Sequence, residues 1–168
     1  MNDSFILRDR KWRETNERVT LSSYAMLSEE SKGRLKKEDQ DPFRTVFERD
    51  RDRIIHSKTF RRLKHKTQVF INPDGDHFIT RMTHTLNVTQ IGRSIAKTLG
   101  LNPDLTEAIC LGHDVGHSPF GHTGEEVLND MLDGGWSHSE NSVKMLSIIE
   151  PLNLTKETIN GIEKHPWK

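Results

Sequence analysis

One cysteine in the whole chain, Cys110, excludes any intramolecular disulfide. It sits in the apolar run AICLG, where a buried thiol is the expected state and a cytosolic setting fits. Long apolar runs are missing as well. No segment approaches the roughly 20 apolar residues of a membrane helix, and the N-terminus MNDSFILRDRKW holds no apolar stretch of signal-peptide length. The chain is therefore expected to be soluble and cytoplasmic, with no membrane partner. There is no Gly-rich phosphate loop, no internal repeat and no low-complexity block.

Net charge is absent too, since 25 Lys and Arg balance 25 Asp and Glu among 168 residues. The balance hides an asymmetry. Residues 1–66 carry 18 basic and 12 acidic groups, and the remainder carries 7 and 13. Such a split can mark a polyanion-binding face, or simply surfaces that neutralise each other on folding. A chain of this length buries roughly 70% of its unfolded surface, enough for one domain with a real core.

Residues 1–42, with the run SEESKGRLKKEDQD, read as a charged N-terminal arm that is mobile or partner-dependent. From Phe43 the domain proper begins and runs to 168. Phe43, Val46, Phe47, Ile54, Ile55, Phe60 and Leu63 recur near a helical period among Arg and Lys, which predicts one or two basic helices. NPDGD at 72–76 is a turn, and TQVFI before it is β-favouring, so a small hairpin near 67–79 is allowed. Met82, Leu86, Val88, Ile91, Ile95 and Leu99 predict a largely buried helix from Arg81, ended by Gly100. Asn102-Pro103-Asp104 then caps and opens another helix, to about Leu111. Thr123 with Glu126, and Ser137 with Glu140, match capping-box spacing and predict helices to about Leu132 and Ile149, the last stopped by Pro151. The fold class is all-α, with at most that one hairpin.

The chemistry concentrates in LGHDVGHSPFGHTGEE. His113 and Asp114 are adjacent there, and His84 lies 29 residues upstream on another helix. Two neutral imidazoles and an acidic oxygen suit a divalent metal of intermediate hardness. A His-Asp pair alone occurs by chance, but His117 and His122 follow within nine positions, among glycines that let the backbone bend close to a ligand.

RRLKHKTQVF, RMTHTLNVTQIGRSIA and HDVGHSPFGHTGEE, in that order, resemble the HD-domain deoxynucleoside triphosphate triphosphohydrolases, the dGTPase-like branch of the HD phosphohydrolases. The resemblance covers roughly residues 43–150. It implies an all-helical HD fold, a divalent metal (Mn, Mg, Fe, Co, Ni or Zn) and hydrolysis of a dNTP to deoxynucleoside and tripolyphosphate. Position by position it makes His84, His113 and Asp114 metal ligands, and His122 the catalytic histidine with Glu125 orienting it. It also places Arg81 and His117 at the phosphates, Gln68 near the deoxyribose and His138 in the active site. Trp136 reads as packing. The series Arg51, Arg53, Arg61, Arg62, Lys64 and Lys66 reads most simply as a solvated basic face; the resemblance also implies a homo-oligomer, a nucleotide effector and single-stranded nucleic acid bound by that series.

The pattern departs from the family in one respect. The fourth ligand is a distant aspartate, and after Asp114 only Asp130 and Asp133 occur, both too close in sequence to wrap around the site. The expectation is an N-terminal portion of a longer enzyme, with weak metal binding and no activity of its own. Two alternatives stay open: an HD phosphohydrolase for another nucleotide phosphoester, and a non-catalytic nucleotide-binding module.

Overall fold

In the computed structural model, residues 8–66 and 79–166 are described. The architecture is all-α. The elements are α1 (Arg10–Thr20), a 3-10 turn (Ser28–Glu30), α2 (Val46–His56), α3 (Lys58–Arg61) with a 3-10 turn (Arg62–His65), α4 (Arg81–Thr98) and α5 (Pro103–Gly112). Then follow α6 (Gly121–Met131), α7 (His138–Lys144) running into a π-helical turn (Met145–Ile149), and α8 (Lys156–Lys164). No sheet forms among the described residues; Arg34 and Thr155 make one isolated antiparallel bridge. The hairpin expected near 67–79 falls almost entirely outside the described residues.

Helix α5 is the centre of the domain, packed most extensively on α4 and α2 and also on α8. Asn102 caps it by accepting from the amides of Asp104 and Leu105, and Pro103 stands in the first turn. Ala108, Leu111 and Val115 from this segment join Ile54, Phe60, Leu63, Leu146, Leu154 and Ile162 in the core. Fully burying one such large side chain stabilises the fold by about 1.5–3 kcal/mol. Every element that carries a candidate site residue except α6 therefore abuts this core.

Helix α4 begins as expected but buries a different face. Its buried residues are Arg81, Thr85, Thr89 and Ala96, whereas Leu86, Ile91, Ile95 and Leu99 are exposed. The reason is the close approach to α5: Gly92 leaves room for Cys110, whose Sγ would meet any added Cβ at 2.9 Å. A near-contact of that kind favours small residues and turns the bulky apolar ones outward. Helix α6 also starts elsewhere than the Thr123 spacing suggested. It opens at Gly121 behind Phe120, which sits in the left-handed region at φ 66° and supplies no side-chain cap. Ser137, by contrast, caps α7 through the Glu140 amide, as expected.

The charged N-terminal segment is folded against the domain from Arg8 onward, by polar contacts in place of apolar ones. Helix α1 has no buried residue. Arg13 pairs with Glu48 at 2.7 Å, and Arg34 pairs with the wholly buried Asp50 of α2. Asp50 Oδ2 also accepts from the Thr155 amide and from the Thr155 and Thr158 hydroxyls, fixing the start of α8, a helix the sequence pattern did not suggest.

Candidate metal centre

The C-terminal end of α5 delivers His113 and Asp114 beside the first turn of α4, which delivers His84 one turn after Arg81. One donor atom from each of His84, His113 and Asp114 lies within 4.8 Å of the others. His113 Nδ1 is 2.7 Å from the Cys110 carbonyl oxygen, an atom that can only accept. The ring proton is therefore on Nδ1, and Nε2 presents a lone pair. Burial pushes the His84 imidazole below its ordinary value, which favours the neutral form a metal requires. Burial works to raise the Asp114 carboxyl, but neighbouring positive charge, including the permanently charged Arg81 guanidinium that bonds it, outweighs this and holds the group below its ordinary value. Two neutral imidazoles and a carboxylate fit a divalent cation of borderline softness.

Arg81 is not a surface residue. It is 2% exposed, and its Nη1 donates to Asp114 Oδ2 at 2.8 Å. Its Nε and Nη2 are buried with no acceptor among the described residues. Behind the pair, Lys66 Nζ donates to the carbonyls of Val115 and His117 at 3.1 and 2.7 Å, stapling the loop that follows α5.

A second cluster lies alongside, made of His117, Glu125 and His138. Glu125 accepts from the His138 backbone amide and from His138 Nδ1, each at 2.9 Å. Its contact to His122 Nδ1 is longer, 3.4 Å, so its principal partner is His138 and not His122. His122 is exposed, with 78% of its side chain accessible. His117 is buried, stacked on His138 at 4.7 Å with both ring nitrogens unpartnered, and burial pushes its pKa down to about 4. An open groove lined by Glu125, Trp136, His138, Glu163, Lys164 and Pro166 runs past this cluster.

His165, just past α8, joins the two clusters. Its ring centroid is 5.2 Å from that of His113 and 5.0 Å from that of His138. Six imidazoles thus follow one another in space, His84, His113, His165, His138, His117 and His122, at successive centroid distances of 5.9, 5.2, 5.0, 4.7 and 5.1 Å.

The structure therefore brings together Arg81, His84, His113, Asp114, His117, Glu125 and His138, with His122 at the exposed margin. Gln68 lies outside the described residues. Asp130 and Asp133 are exposed at the far end of α6, and neither joins the His84 group. Sequence reasoning missed His165; the Thr155 and Thr158 pair that caps α8 was the available signal. It also took Lys66, Arg51 and Arg53 for a solvated face. In the fold, Arg51 bonds Asp104, and Arg53 bonds Glu38 and the carbonyls of Leu152 and Asn153.

Comparison with known proteins bears directly on this geometry. Residues 81–166, the span from Arg81 past His165, match the family model of the HD domain. The chain belongs to the HD domain family. It is 61% identical over 149 residues to a deoxyguanosinetriphosphate triphosphohydrolase-like protein of Caldanaerobacter subterraneus subsp. tengcongensis, covering 86% of this chain and 44% of that protein. A protein of the same description from Clostridium tetani is 58% identical over 160 residues, covering 93% of this chain and 46% of the relative. The chain thus spans less than half the length of these curated relatives. No helix among the described residues is long and apolar enough to cross a membrane.

Proposed function

We propose that this HD domain serves a deoxynucleoside triphosphate triphosphohydrolase, which splits a dNTP such as dGTP into deoxynucleoside and tripolyphosphate. The observation that carries the reading is the adjacency of a His84, His113 and Asp114 donor set to a carboxylate-held histidine with an exposed imidazole at its edge. The relatives' description supplies the substrate class.

His84, His113 and Asp114 would hold a divalent cation, which would supply Lewis-acid and water-activating chemistry at the α-phosphoryl group. The protein's own groups divide the remaining work. A water oxygen bonds to the α-phosphorus as the bond from phosphorus to the 5′ oxygen breaks. His122, as imidazolium, gives its proton to that departing oxygen, and Glu125 supports its charge from 3.4 Å. Glu125 also fixes His138 with its proton on Nδ1, so that Nε2 faces inward as an acceptor. Arg81 keeps Nε and Nη2 without protein acceptors, donors suited to phosphate oxygens, and His117 has two unpartnered ring nitrogens for the same purpose. Gln68 at the deoxyribose belongs to the same reading, as do a homo-oligomer and a nucleotide effector.

Phosphorus NMR of dGTP incubated with Mn2+ and the protein tests the reading. Tripolyphosphate is the expected product, and H122A slows its release by about 10²–10⁴-fold, the usual range for a general acid. Orthophosphate or a nucleoside monophosphate would instead indicate another phosphoester substrate. The ion pair of Arg81 with Asp114 favours a second reading, a nucleotide-binding module in which arginine occupies the carboxylate. That reading predicts dGTP binding without turnover, unchanged in H113A and D114A.

A further inference from the structure

His117 is 2% exposed, and neither of its ring nitrogens has a hydrogen-bond partner among the described residues. No polar contact therefore orients the ring. Its placement follows from the stack on His138, at 4.7 Å, and from the backbone that carries it. That backbone is pinned on both sides of the residue. The His117 amide donates to the Asp114 carbonyl at 3.1 Å, and the His117 carbonyl accepts from Lys66 Nζ at 2.7 Å.

Lys66 holds more than this one carbonyl. Its Nζ also donates to the Val115 carbonyl at 3.1 Å, so one ammonium spans the loop on either side of Gly116. Its own carbonyl accepts from the Arg81 amide at 3.0 Å, at the start of α4. The first turn of α4 and the loop after α5 thus meet on a single residue that belongs to neither.

Stability alone does not account for a lysine here. No carboxylate bonds its ammonium among the described residues. Burial and the neighbouring Arg81 charge push it below its ordinary value, against the opposing pull of Asp114. Taking an ammonium out of water beside another cation costs free energy that a neutral donor avoids. Lys66 and Arg81 set two cations against the one carboxylate of Asp114, and the excess suits an anionic ligand.

We propose that Lys66 is a positioning residue for the triphosphate: it holds the loop so that the free ring nitrogens of His117 and the free guanidinium nitrogens of Arg81 serve the same phosphate chain. Lys66 acts through His117 and not on the reacting atoms. The inference deepens the triphosphohydrolase reading and rests on it for the identity of the ligand.

The test is a double-mutant cycle in the kinetics of tripolyphosphate release from dGTP with Mn2+. K66M keeps the length of the side chain but removes the ammonium. It is expected to raise KM by about 10–100-fold, the worth of one hydrogen bond to a charged group. The value of kcat should stay close to that of the wild type, because the phosphate contact is made in bound substrate and transition state alike. In an H117A background the same replacement is expected to change KM by less than about 2-fold. A lysine that merely stabilised the loop would raise KM by one factor in both backgrounds, and that result would overturn the proposal, as would an unchanged KM in K66M. A second measurement needs neither a variant nor turnover. Inorganic tripolyphosphate added to the 15N-histidine-labelled wild-type protein is expected to shift the His117 ring resonances, and unmoved resonances would sink the proposal. Should dGTP bind without hydrolysis, the triphosphohydrolase reading falls while the Kd of dGTP takes the place of KM in the cycle, with the same expected and opposing results.

Discussion

Arg81 Nη1 donates to Asp114 Oδ2 at 2.8 Å, and both side chains are all but inaccessible. The charge that occupies the carboxylate of the donor set thus comes from the residue one helical turn before His84. Two functions meet in this contact: it keeps Asp114 ionised without metal, and it sets one carboxylate oxygen apart from the other, which lies 3.6 Å from His113 Nε2.

Replacing Arg81 by Ala leaves Asp114 buried and unpaired. Breaking a buried pair from one side costs about 3–5 kcal/mol, and that loss is expected in urea unfolding of metal-free R81A. A bound cation compensates the same carboxylate, so saturating Mn2+ should stabilise R81A by more than it stabilises the wild type. Equal stabilisation of the two proteins would show that Asp114 does not see the metal.

Glu125 contacts His138 at 2.9 Å and His122 at 3.4 Å, so its removal should act first on His138. E125Q keeps the size of the side chain but offers an amide in place of one carboxylate oxygen. Glu125 supports both His138 and His122, and proton transfer by a positioned side chain contributes about 10²–10⁴-fold, so a loss toward the lower end of that range is expected. The expected result is a fall of that size in tripolyphosphate release, with the His138 ring no longer fixed with its proton on Nδ1 by 15N NMR. A full rate with a changed tautomer would separate His138 from the chemistry.

Glu150 gives a pH prediction away from the centre. It accepts from the amides of Lys58 and Thr59 at 2.8 Å and from the Thr59 hydroxyl at 2.7 Å, so it caps α3. Burial works to raise its carboxyl, but these bonds together with the nearby Lys58 charge outweigh it and hold the group below its ordinary 4.5. A depressed folded-state value means that the stabilisation is present above the unfolded value and is lost as pH falls through the folded one. E150Q should therefore be less stable than the wild type at pH 7, by about 0.5–2 kcal/mol as for other helix caps. The gap should close as pH falls below about 4.5, the unfolded value for Glu. A gap that persists to pH 3 would mean that the charge is not involved.

How much of this was legible beforehand followed the range of the signal. Asn102-Pro103-Asp104 and Ser137 with Glu140 act within three residues of chain, and both caps form. The all-α architecture and the grouping of His84, His113 and Asp114 followed from helix positions and from the family motifs. Spacing alone misplaced the start of α6, because the left-handed backbone at Phe120 ends the preceding loop before Thr123 is reached. The buried face of α4 was misread for a related reason. Thr85, Thr89 and Ala96 are small enough for close approach to α5, and hydropathy alone ranks Ile91 and Ile95 above them. Arg81 with Asp114, Lys66 with the Val115 carbonyl, and His138 with His165 are 33, 49 and 27 residues apart, and no local pattern encodes such pairs.

Gly116 is where the backbone itself sets the site. Its amide donates to Ser142 Oγ at 2.9 Å and its carbonyl accepts from Asn141 Nδ2 at 2.6 Å, so the loop after Asp114 lies directly on α7. A Cβ added there would overlap the Ser142 amide nitrogen and the Asn141 carbonyl carbon, atoms that cannot rotate away. G116A must therefore push α7 from the loop, and α7 carries His138 while the loop carries His117. Overpacking of this kind costs about 1–3 kcal/mol, measurable by urea unfolding. The geometric consequence should be larger than the thermodynamic one. The stack of His117 on His138 at 4.7 Å and the 3.0 Å approach of His138 to His165 both depend on that seating. G116A is thus expected to remain folded and to keep the His84, His113 and Asp114 donor set. It should shift the ring resonances of His117, His138 and His165, and unchanged resonances would show that α7 is not seated through this glycine.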